Sequence, residues 1–194
     1  MRSLIYVPII HTTTDMGSES EALKKEYIKK FGQQRWLRQV KLVEGFWEHV
    51  REKILSLKLD YKRVRIYQDG LPLSGREMEI AREVAQRGSQ NYKIILELIE
   101  RGARLEGTED PALLLKEYSY IKEFSSARNE IEREVARRNY ARASKTILSQ
   151  RDEFISERIR ETLRDGETGI LLIGKMHEVD KRLPKDIRVI HLLR

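Results

Sequence analysis

The chain has 194 residues, 40% hydrophobic and 36% charged, with 38 Lys and Arg against 31 Asp and Glu and no cysteine. That length and apolar content fit one medium-sized domain with a real core, and the lack of cysteine excludes disulfides, thiolate metal sites and cysteine nucleophiles together. No stretch reaches the roughly 20 apolar residues that span a bilayer, and the first residues do not read as a secretory signal, so a cytoplasmic protein is expected.

In chain order, the apolar run Leu4-Ile5-Tyr6-Val7-Pro8-Ile9-Ile10 reads as a buried strand that closes on His11. The polar loop from His11 to Gly17, which contains Asp15, leads into Ser18-Glu19-Ser20-Glu21, a capping-box spacing that starts a helix. Helix is expected to about Lys58 with a break near Gly32; Trp36, Val40, Val43 and Trp47 share one face, as core packing requires. Arg63-Val64-Arg65-Ile66-Tyr67 alternates as a second strand and ends in the turn Gln68-Asp69-Gly70-Leu71-Pro72. Ser74-Gly75-Arg76-Glu77 repeats the capping spacing, and two helices follow, separated near Gly88 and stopped at Gly102.

Leu105-Glu106-Gly107-Thr108-Glu109-Asp110-Pro111 is a compact acidic turn in which Asp110 caps a helix whose first position is Pro111. Helix continues to about Arg164, Gly166 and Gly169 bracket the exit into a strand from Ile170 to Ile173, and the run from Ile187 to Leu193 offers an edge strand. The expected fold is a single α/β domain over residues 1–194: a small, mostly parallel sheet with many long helices, and a helical insertion or lid over residues 112–149. Charges of both signs are mixed along the chain, as on a thermophile's ion-paired surface. A net charge of +7 admits attraction to nucleic acid or acidic lipid, but most basic residues have a Glu nearby, and a solvated basic surface is the simpler reading.

In α/β proteins reactive groups collect at the carboxyl ends of the strands. His11 and His177 both follow apolar runs. Arg151, Ile155, Ile159 and Leu163 share a helix face, and a helix that feeds a strand and packs back on it starts at the edge where that strand ends. Arg151, at the helix's amino-terminal end, and Asp152 are therefore expected beside His177. Asp69 belongs to the same edge if its strand is parallel, although Asp before Gly is also a common turn residue. His11, Arg151 and His177 are the catalytic candidates; Asp15, Glu106 and Asp152 are candidates for substrate contact. His11, Asp69 and His177 form a ligand set suited to a divalent metal such as Mn, Co or Zn. Acid–base work by the same histidines without a metal is the alternative. P-loop, dinucleotide, nucleophile-elbow and zincin motifs are absent from the sequence.

Arg151-Asp152-Glu153-Phe154-Ile155, then a helix, then Gly169-Ile170-Leu171-Leu172-Ile173-Gly174-Lys175-Met176-His177, resembles the carboxyl-terminal signature of the erythromycin-esterase/TraB/ChaN/TIKI-like superfamily. That signature pairs an Arg-Asp or Arg-Asn helix start with a later G-x-x-H, which Gly174 to His177 matches in full. An earlier G-x-x-H and an acidic residue after another strand complete the pattern; here Pro8-Ile9-Ile10-His11 keeps the histidine with Pro in place of Gly, and Gln68-Asp69 fills the acidic position. Members of that superfamily are implicated in hydrolysis, in haem-related binding and in proteolysis, so the resemblance names no single reaction; the leading expectation is a metal-dependent hydrolase acting on a small-molecule or peptide substrate. Two other readings stand beside it. One is a nucleic-acid-binding or assembly module built on the basic helix Arg128, Arg133, Arg137, Arg138, Arg142 and Lys145, with Tyr140 placed to stack on a base. The other is a non-catalytic superfamily member whose long helices form a homo-oligomer.

Overall fold

The computed structural model describes residues 1–10 and 20–193. His11 and Asp15 therefore lie outside the described residues. The elements in order are β1 (Arg2–Ile9), α1 (Ser20–Phe31), α2 (Gln33–Ser56), β2 (Val64–Gln68), α3 (Glu77–Gln86), α4 (Gln90–Glu100), β3 (Arg104–Glu106), α5 (Pro111–Ser125), α6 (Glu130–Thr162), β4 (Thr168–Gly174) and β5 (Ile187–His191). Among the described residues the five strands form one all-parallel sheet in the order β3-β2-β4-β1-β5. No helix among them is long and apolar enough to cross a membrane.

This order sets the layers. The chain steps one way across the sheet from β1 through β2 to β3, then returns through β4 to β5. Right-handed crossovers place the helices of these two legs on opposite faces. On one face Ile5, Val7, Ile66, Ile170 and Leu172 pack against Trp47, Val50 and Ile54 of α2 and against α3 and α4. On the other, Leu4, Tyr6, Tyr67, Leu171 and Ile173 pack against Ile155, Ile159 and Leu163. Strand residues alternate between faces, so β1 and β4, covered on both, are continuous apolar runs.

Caps and a glycine set several of the boundaries. Asp110 accepts a hydrogen bond from the Ala112 N–H at 2.7 Å and, with Pro111 behind it, starts α5. Glu77 accepts from the Ser74 N–H at 2.8 Å, the reciprocal half of the capping spacing. Gly32, with φ of 84°, breaks α1 from α2.

Two expectations are corrected. Arg151 does not begin a helix: Asn129 accepts from the Glu132 N–H at 2.9 Å and starts α6, whose 33 residues run unbroken past Arg151. Only the later turns lie on the sheet, while the earlier ones extend past the strand ends and carry α5 alongside. In that earlier part the buried residues are Ala136 and Ile147, and α5 has none. The Trp36 to Trp47 stripe is likewise divided. Trp47 is buried under the sheet, whereas half-buried Trp36 packs edge-on to Tyr27 of α1 with ring centroids 5.5 Å apart. A 24-residue helix outreaches the 5-residue strand it feeds, so its first turns can bury apolar groups only against α1.

Candidate functional site

Three strand ends converge at the carboxyl edge of the sheet. Asp69 directly follows β2, and its N–H donates to the Leu172 carbonyl at 2.9 Å, extending the β2–β4 pairing. Its Oδ2 accepts from the Gly174 N–H at 2.9 Å and its Oδ1 from Arg151 Nη2 at 2.7 Å. Past β4, the His177 N–H donates to the Gly174 carbonyl at 3.2 Å and closes a turn. That turn buries the imidazole, with Nδ1 2.5 Å from Asp152 Oδ1 and Nε2 3.6 Å from Asp69 Oδ2. Asp152 Oδ2 accepts from the Glu178 N–H at 2.9 Å, and the Tyr6 hydroxyl donates to the His177 carbonyl at 3.2 Å. An ionised carboxylate only accepts hydrogen bonds, so Asp152 places a proton on Nδ1, and Nε2 faces Asp69.

The third arm comes from the loop after β3. The N–H groups of Thr108 and Glu109 both donate to the Leu71 carbonyl at 3.0 Å, and the Leu73 N–H donates to the Glu109 carbonyl at 2.8 Å. The two loops lie so close at Gly107 that a Cβ there would stand 2.7 Å from Leu73 Cα. Glu109, with no exposed surface, turns its carboxylate inward. Oε1 accepts from the Gly70 N–H at 3.1 Å and from Arg151 Nη2 at 2.6 Å, and Oε2 accepts from Arg151 Nε at 2.9 Å. Asp69, Glu109 and His177 each present a ligand atom, all within 4.8 Å of one another.

Arg151 ties this cluster to α5. Its Nη1 donates to Glu117 Oε2 at 2.5 Å, and Tyr140 of α6 donates to the other Glu117 oxygen at 3.0 Å. Burial works against the guanidinium, but the hydrogen bonds from Glu109 and the charges of Glu109, Asp69 and Glu117 overcome it, and Arg151 is held more firmly cationic than usual. Burial also raises the Tyr6 hydroxyl, reinforced by the charges of Asp180, Asp152 and Asp69, so it stays a proton donor. Three carboxylates thus surround one fixed cation. That negative excess and the mixed oxygen and imidazole donors fit Mn²⁺, Co²⁺ or Zn²⁺. Each carboxylate oxygen has two lone pairs, so a bond to Arg151 leaves Asp69 and Glu109 able to serve as ligands.

Burial, partly offset by Arg151 and aided by Asp69, raises the Glu109 carboxyl above its ordinary value. Between the ordinary and raised values the folded chain binds more protons than the unfolded chain, so Glu109 lowers stability as pH rises through that window. In metal-free protein, the wild-type minus Glu109→Gln difference in melting temperature is expected to fall as pH rises from about 4.3. A difference that stays flat or rises with pH would contradict this.

Of the residues singled out in the sequence, Asp69, Arg151, Asp152 and His177 come together. Asp152, expected at the substrate, instead has both oxygens committed to the His177 loop. Arg151, a catalytic candidate from the sequence, makes four hydrogen bonds to Glu109, Asp69 and Glu117, which leaves one of its five N–H groups. Glu106 is drawn elsewhere, because it lies within β3 rather than past its end and pairs with buried Arg65, which also binds Glu167 at 2.5 Å. His11 and Asp15 lie outside the described residues; β1, which precedes them, pairs in parallel with β4.

Glu109, Glu117 and Tyr6 were not singled out. Glu109 carried a usable signal: it stands three residues past β3, as His177 stands three past β4. The adjacent Asp110-Pro111 cap accounted for that turn without it. The fold and site define an α/β protein with a buried carboxylate–histidine cluster at one sheet edge. Comparison with protein-family models, curated proteins and solved structures finds no match in any of the three.

Proposed function

We propose that this chain is a cytoplasmic, metal-dependent hydrolase whose ion is held by Asp69, Glu109 and His177. The observation that carries the reading is the convergence of these three buried donors within 4.8 Å, on three separate strand ends. The orientation of His177 adds to it, since a carboxylate on one ring nitrogen is a usual device for aiming the other at a metal. The resemblance of Arg151-Asp152 and Gly174 to His177 to the superfamily signature points the same way.

In this reading a bound divalent ion supplies Lewis acidity and activates water near neutral pH. Asp152 keeps His177 in the tautomer with a free Nε2. Arg151 holds Asp69 and Glu109 in place and offsets part of their charge. His11, two residues beyond β1, is the candidate for a further contribution from the strand beside β4.

The test is calorimetric titration of chelator-stripped protein with Mn²⁺, Co²⁺ and Zn²⁺, followed by a panel of ester, amide and phosphoester substrates. The expected result is one ion per chain and turnover that chelator removes and metal restores. Failure to take up any of the three ions would overturn the reading.

A further inference from the structure

The positive charge of this chain is concentrated rather than spread. Residues 24–42 contain seven Lys and Arg and a single acidic residue, Glu26, a local +6 in a chain whose total is +7. This stretch is the tip of the α1/α2 hairpin, where α1 ends at Phe31 and α2 begins at Gln33. The basic stretch at 128–145 differs. There Arg137 and Arg138 both bond Glu134 at 2.8 Å, holding its carboxyl down at about 2.

Aromatic groups are interleaved with the charge at the hairpin tip. Tyr27 lies 4.9 Å from Phe31 and 5.5 Å from Trp36 between ring centroids. Phe31 as a residue remains 42% exposed. Lys30 and Arg35 stand over it at 5.3 and 5.4 Å. Beside these rings runs an open groove of about 780 Å³ lined by Tyr27, Phe31, Gln34, Arg35, Arg38 and Gln39 among others. That volume falls in the range of about 300–1,000 Å³ that accommodates compact ligands.

We infer that this hairpin tip binds single-stranded nucleic acid. Lys and Arg side chains neutralise backbone phosphates and release counter-ions. An exposed aromatic face stacks on an unpaired base regardless of its identity, the place the geometry gives Phe31. The Gln34 and Gln39 amides offer both donors and acceptors to base edges. The same amides disfavour a lipid surface, where they would lose water without gaining partners. A duplex would use the charges but not the ring, because its bases are already stacked. The inference stands apart from the ion site, which involves none of these residues.

The test is fluorescence anisotropy of the 194-residue chain with labelled single-stranded RNA and DNA of about 12 nucleotides, in about 50 mM salt. A duplex of the same sequence and vesicles containing phosphatidylserine serve as competitors. Expected are binding that weakens steeply with salt, a loss of roughly 100-fold or more in the Arg35→Glu/Arg38→Glu double variant, and a loss of roughly tenfold in Phe31→Ala. Circular dichroism checks that the variants keep their helices. The inference is overturned by absent binding in low salt, by duplex competing as well as single strand with Phe31→Ala unchanged, or by vesicles binding where oligonucleotides do not.

Discussion

Arg151→Met is expected to destabilise the metal-free protein by about 3–5 kcal/mol, because it removes the cation from a buried cluster and leaves the carboxylates behind. Arg151 is 7% exposed and bonds Glu109 at 2.6 and 2.9 Å, Asp69 at 2.7 Å and Glu117 at 2.5 Å. Methionine fills a similar volume, so lost packing contributes little and the effect reports the charge. At this chain length the loss corresponds to a fall of roughly 6–20 °C in melting temperature. Arg151→Lys should fall in between, keeping the charge without the planar fork that reaches three carboxylates together. Added Mn²⁺ or Zn²⁺ should recover part of the loss in the Met variant, since a cation between Asp69 and Glu109 relieves the same repulsion. Denaturation with and without metal measures both effects. A loss below about 1 kcal/mol would mean that the cluster holds its charge in some other way.

His177→Ala is expected to abolish ion binding within the range of a calorimetric titration, and Asp152→Asn to weaken it by about 10–100-fold. The two effects separate a ligand from a residue that acts through the ligand. Alanine deletes the only nitrogen donor of the cluster among the described residues. Asparagine retains the shape of Asp152 but no longer favours the Nδ1 proton by charge, so a fraction of His177 presents a protonated Nε2 to the ion. Raising metal concentration should rescue the Asp152 variant and not the His177 variant. Equal losses in both, or retained affinity in His177→Ala, would remove His177 from the ligand set.

Much of the fold is legible along the chain because its determinants are local. Ile170 to Ile173 and Leu4 to Ile10 read as buried strands since both faces of β1 and β4 are covered, and Gly32, Gly102 and Asp110 mark helix ends through backbone geometry they carry themselves. Strand-end placement then brings Asp69, Arg151, Asp152 and His177 to one edge, provided the sheet is parallel, which it is. The start of the helix through Arg151 is not legible in the same way, because a four-residue spacing shows a shared face but not how far the helix continues, and α6 begins at Glu130.

The partners within the cluster depend on contacts that no local pattern encodes. Glu109 reaches Arg151 only because the loop after β3 is bound to the Leu71–Leu73 backbone across a gap that Gly107 keeps open, and Glu117 because α5 lies along α6. Glu106 was lost to the site for a comparable reason, since the β2–β3 register sets it near Arg65. Helix and strand periods and caps act over a few residues and are written in the sequence. The sharing of one guanidinium among carboxylates 34 to 82 positions away along the chain is set by the packing of loops and helices over the sheet edge, and only the folded chain brings those groups within reach.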